Sequence, residues 1–122
     1  MARSPSGRTK PTPVATPAPV APPAGQLFAV TRSRGSAWDS TLAQEAQPGW
    51  AEHAEFMNSL VATGFVILGG PLEETPYTML AIRAESVAEV RNRLAGDPWE
   101  TSRTLETTRI APWTLALGVG KI

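Results

Sequence analysis

His53 is the single histidine of a 122-residue chain that contains no cysteine. Thiol nucleophiles, disulfides and thiolate metal sites are therefore excluded, and one imidazole cannot build a histidine-rich metal site within one chain. One imidazole can still move a proton near neutral pH, if a second group fixes which ring nitrogen carries it. Asp97 is the carboxylate to consider, because it opens Asp97-Pro98-Trp99 and places a large ring beside itself. Gly69-Gly70-Pro71 is a third feature, where missing side chains permit a close backbone approach. Together these residues suit cofactor-free acid/base chemistry. His53 would carry the proton, Asp97 would orient it, and Gly70, Pro71 and Trp99 would bound a small-molecule substrate. Elimination or isomerisation fits a single proton shuttle. Ser36, Ser40 and Ser59 lack a second histidine or a nucleophile-elbow context, and the glycine spacings of phosphate loops are absent.

The same residues have plainer readings, which the sequence leaves open. His53 reads equally as a helix histidine without a role, Asp97-Pro98 as a turn starter and Gly69-Gly70-Pro71 as a tight turn. Trp50, Trp99 and Trp113 suit a core or an interface. Arg32 and Arg34 either meet an anionic substrate or solvate a loop. A non-catalytic small-molecule-binding or dimerisation module is the alternative to the enzyme.

The elements that must position these groups follow from periodicity. Gln26 to Thr31 is short and apolar, and reads as a strand. Residues 32–47 form a long loop, with one helical turn near 42–45. Pro48-Gly49 opens a helix in which Trp50, Ala54, Met57 and Val61 recur at helical spacing beside His53, Met57 and Leu60; Gly64 ends it. Phe65-Val66-Ile67-Leu68 is a buried-type strand stopped by Gly69-Gly70-Pro71. A turn over residues 73–76 leads to a strand at 77–82. Ser86 and Glu89 form a capping box for a second helix with an inward stripe of Val87, Val90 and Leu94. Gly96 ends that helix. Weak alternation from Leu105 to Leu117, with a bend at Pro112, gives a last strand.

This order predicts an α+β fold of the split βαβ, ferredoxin-like kind: a four-stranded antiparallel sheet with two helices on one face. His53, near the start of one helix, and Asp97, past the end of the other, would meet at one end of the sheet. The second face lacks the apolar-polar alternation that a solvated face needs. A homodimer closed sheet against sheet would cover it.

Residues 1–25 differ in kind. They hold seven of the twelve prolines (Pro5, Pro11, Pro13, Pro17, Pro19, Pro22 and Pro23) and few large apolar side chains, which predicts a disordered tail before a domain at 26–122. Arg3, Arg8 and Lys10 make this tail basic, while eight basic and eleven acidic residues make the remainder acidic. The formal net charge of zero argues against nucleic acid as a partner. No apolar run reaches the ~20 residues of a membrane span, and no secretory leader is readable, so the expected location is the cytoplasm.

One pattern carries a resemblance. Trp50-x-x-His53-x-x-Phe56-Met57-x-x-Leu60-x-x-x-Gly64-Phe65-Val66, then Gly69-Gly70-Pro71-Leu72, Asp97-Pro98-Trp99 and Ile110-x-Pro112-Trp113 resemble the YCII-related family over about residues 27–118. The resemblance implies a YciI-like dimeric α/β barrel and a pocket with a His–Asp pair, here His53 and Asp97. It also implies chemistry such as dehydrochlorination of a chlorinated hydroxyquinol, with lactone isomerases on similar folds. The 32–47 segment with Trp38 looks like an insertion seen only in some relatives, placed to line the pocket here.

Overall fold

The structure is a computed structural model and describes residues 25–118. Residues 1–24 of the expected proline-rich tail therefore lie outside the described residues, as do residues 119–122.

Strand β1 (Gln26–Arg34) is central. It pairs on one side with β3 (Tyr77–Ala84) and on the other with β4 (Leu105–Pro112). β2 (Val66–Pro71) joins the far side of β3, giving the order β2-β3-β1-β4 with every neighbour antiparallel. Helix α1 (Trp50–Ala62) links β1 to β2, and α2 (Val87–Leu94) with the short α3 (Pro98–Thr101) links β3 to β4. The fold is thus α+β, a four-stranded antiparallel sheet with three helices.

Alternation along β1 sorts its side chains onto two faces. Phe28 and Val30 point into a core completed by Leu80 and Ile82 of β3, Leu60 of α1, and Val90 and Leu94 of α2. Helix α2 starts as its sequence dictates: the Ser86 hydroxyl accepts from the Glu89 amide at 3.1 Å, and the Glu89 carboxylate accepts from the Glu85 amide at 2.7 Å. Helix α1 starts from Gly49, whose left-handed φ of 81° only glycine adopts without cost. A side chain there would also press on Trp99 Nε1, 3.3 Å away.

Several expectations need correction. β1 does not stop at Thr31 but runs to Arg34, so Arg32 is a strand residue rather than a loop residue. Gly69-Gly70-Pro71 is not a turn: it lies inside β2, opposite Leu80, Met79 and Thr78. The second helical crossover holds two helices, because Pro98 starts α3 after Asp97. Val87 is exposed, leaving Val90 and Leu94 as the buried stripe of α2. β4 ends at Pro112, and residues 113–118 form no strand.

The pairing register shifts by one residue at two places, leaving Ile67 of β2 unpaired opposite β3 and Thr108 of β4 unpaired opposite β1. The face away from the helices bears Ala29, Thr31, Met79, Ala81 and the exposed Leu68, with Ile67 in the bulge beside it.

Candidate active site

Continuing the inward alternation of Phe28 and Val30 brings β1 to Arg32, which is 1% exposed. There the core changes character. Arg32 Nη2 donates to Asp97 Oδ2 at 2.9 Å and to Glu100 Oε2 at 3.1 Å. Glu100 also accepts from the Thr107 hydroxyl of β4.

Asp97 is fully buried and its local role is structural as well as electrostatic. The residue before a proline is driven to extended backbone, here ψ 126°, which is the N-cap conformation. Its Oδ1 accepts from the Trp99 amide at 2.9 Å, capping α3. The same carboxylate faces His53 Nδ1 at 2.9 Å. Burial alone pushes the Asp97 carboxyl up. The hydrogen bonds from His53 and the Trp99 amide, with the Arg32 guanidinium, outweigh that and hold it below the ordinary carboxylate range. Asp97 is thus a carboxylate at neutral pH, and His53 donates its Nδ1–H to it.

His53 sits on the second turn of α1, its amide bonded to the Gly49 carbonyl at 3.0 Å. Its ring lies flat on the Trp99 indole, with centroids 3.9 Å apart and planes 8° apart. Trp99 is in turn fixed by Nε1–H donating to the Pro48 carbonyl at 2.8 Å. Trp50 and Trp38 pack around the same indole, Trp38 edge-on at 5.9 Å. The imidazole is therefore held at one nitrogen and on one face. Nε2 has no protein partner among the described residues, and His53 lines a cavity of about 270 Å³.

The cavity lies between the start of α1 and the β2–β3 hairpin. Trp38, Trp50 and Met57 form one side, and Gly69, Gly70, Pro71 and Tyr77 the other. Gly69 is required by packing, since an added Cβ would lie 2.8 Å from the Met79 carbonyl oxygen of the facing strand; at Gly70 it would meet nothing within 4 Å. The segment expected to line the pocket does so through Trp38. Gln47 stabilises that segment: buried, it accepts from the Asp39 amide and donates to the Asp39 and Leu42 carbonyls, at 3.0, 2.7 and 3.1 Å.

All five residues singled out by sequence reach this region. His53, Gly70 and Pro71 line the cavity. Asp97 lies behind the imidazole. Trp99 is 1% exposed, so it backs His53 more than it presents a surface of its own. Arg32 and Glu100 were missed as members of the cluster. The signal for Arg32 was its place two residues beyond Val30 on a strand judged too short. For Glu100 there was none, because a four-residue helix shows no period. Among the described residues no three histidine, aspartate or glutamate side chains converge as a metal set. No helix among them is long and apolar enough to cross a membrane.

No protein-family model, curated protein or solved structure matches this chain.

Proposed function

We propose that the protein is a YCII-like acid/base enzyme of the cytoplasm, with a ferredoxin-like fold, that eliminates from or isomerises a small molecule without a cofactor. The observation that carries this reading is the His53 Nδ1 contact to a buried, ionised Asp97 beside a cavity. With Nδ1–H committed, Nε2 presents its lone pair to a bound molecule. Nε2 takes a proton from carbon, the C–H electron pair becomes a C=C bond, and in an elimination the neighbouring bond breaks with its pair leaving on the departing group. In an isomerisation the new C=C bond forms as an adjacent double bond of the substrate breaks, and the freed pair takes the proton back from Nε2–H at the far carbon.

The charge count supports this direction. Arg32, Asp97 and Glu100 carry one net negative charge, which a proton on His53 would balance. Arg32 is a positioning residue: it keeps Asp97 ionised, and Glu100 shares the guanidinium so that Asp97 remains available to the imidazole. The apolar second face of the sheet supports a homodimer closed across that face, as the resemblance to the YCII-related family implies.

The test is deuterium wash-in from heavy water into chlorinated hydroxyquinols and enol lactones, followed by mass spectrometry. General acid/base catalysis contributes ~10²–10⁴-fold, so His53→Gln should slow wash-in by at least about 100-fold. Equal rates in the wild type and His53→Gln would end the acid/base reading and leave a binding module.

A further inference from the structure

The charged groups on the cavity wall are unequal in a way that the acid/base reading does not use. Those that line it are Arg32, Arg34 and His53, with no aspartate or glutamate among the lining residues. Asp97 and Glu100 lie behind the wall, Glu100 paired with Arg32 and Asp97 shared between Arg32 and His53. Arg34 is different. It is the last residue of β1, two positions beyond Arg32 and so on the same side of the strand. Its guanidinium stacks on the Trp38 ring at 4.7 Å, and it forms no ion pair among the described residues. Glu73 and Glu74 border the adjoining depression, yet neither comes within 4.0 Å of it. When His53 takes a proton, the buried cluster becomes neutral, and Arg34 stays an unneutralised cation on the wall.

A stacked guanidinium keeps its N–H edge free for a planar acceptor, a geometry that suits a carboxylate bound by two parallel hydrogen bonds. The walls beside it are indoles, Trp38 and Trp50. The volume of about 270 Å³ falls just below the ~300–1,000 Å³ of ligand pockets, which favours one ring over an extended molecule.

We infer that the site takes a small planar carboxylate, its ring against Trp38 and Trp50 and its carboxylate on Arg34. This rests on the proposed reading for the position of the reacting carbon near His53, but not for the binding itself. Arg34 then sets specificity without touching the proton that moves.

The experiment is ligand-observed NMR titration of the full chain with benzoate, benzamide and cyclohexanecarboxylate. The wild type should bind benzoate at least tenfold more tightly than either of the others. Arg34→Gln removes the guanidinium and its stack on Trp38; with the fold checked by circular dichroism, it should abolish the preference for benzoate over benzamide. Equal binding of benzoate and benzamide by the wild type, no binding of any probe, or a preference that survives in Arg34→Gln would each overturn the inference. The two proposals fail separately. A benzoate preference with wash-in insensitive to His53→Gln removes only the acid/base chemistry; the reverse pair of results removes only the carboxylate.

Discussion

The two faces of the sheet break the usual rule of burial in opposite directions. The helix-covered face buries charge: Arg32 and Asp97 are almost without solvent contact, and His53 is nearly so. The other face leaves apolar side chains in solvent, Leu68 at 66% exposure and Ile67 at 41%. Strand β1 serves both, sending Phe28, Val30 and Arg32 one way and Ala29 and Thr31 the other. Buried charge survives only where each ion is paired and hydrogen-bonded. Asp97 meets that demand with three donors, from His53, Arg32 and the Trp99 amide. Exposed apolar surface needs no such local repair and is relieved by a covering surface. One face thus solves its problem within the chain, and the other leaves part of its apolar surface in solvent.

Removing the carboxylate should have the largest effect. Asp97→Ala leaves the buried Arg32 guanidinium with Glu100 alone, takes the partner from His53 Nδ1 and uncaps α3, and should cost about 3–5 kcal/mol in urea unfolding. Leu94→Ala, in the apolar part of the same face, should cost about 2–5 kcal/mol by cavity formation. If Asp97→Ala costs less than 1 kcal/mol, the contrast between the faces fails.

Acidity separates the two losses. The Asp97 carboxyl titrates below its unfolded value of about 3.9, so its contribution is complete above that pH and disappears as pH falls through the folded value. The stability gap between the wild type and Asp97→Asn should therefore narrow on going from pH 6 towards pH 3, whereas the gap to Leu94→Ala should not follow it. Parallel curves for all three proteins would show that Asp97 is not held ionised by its partners.

The open face should respond in assembly rather than folding. Leu68→Glu should change protomer stability by no more than about 0.5 kcal/mol, while sedimentation shifts from dimer to monomer. A wild type that sediments as a monomer at all concentrations would remove the second copy from the comparison.

Much of this arrangement was legible in the sequence, for physical reasons that differ by residue. The capping box at Ser86 and Glu89 is a local signal with a local cause, and it sits where it was read. The meeting of His53 and Asp97 was legible from element order, since the start of α1 and the end of the second crossover share one end of the sheet. Arg32 was obscured because alternation cannot distinguish a strand that ends at Thr31 from one that carries a charge inward; only the distant Asp97 and Glu100 make that burial tolerable. Gly69-Gly70-Pro71 has the composition of a turn, but its pairing with β3 overrides that preference. Asp97-Pro98 reads as a turn or as an N-cap with equal ease, and the four residues of α3 are too few to decide.

The parallel stack of His53 on Trp99, with centroids 3.9 Å apart, also gives the molecule a built-in reporter. An indole face shields protons above it, so the ring signals of the sole histidine should lie upfield of their ordinary positions. A ligand that tilts either ring would shift those lines directly. Occupancy of the cavity could then be followed in unlabelled protein, before any substrate has been identified.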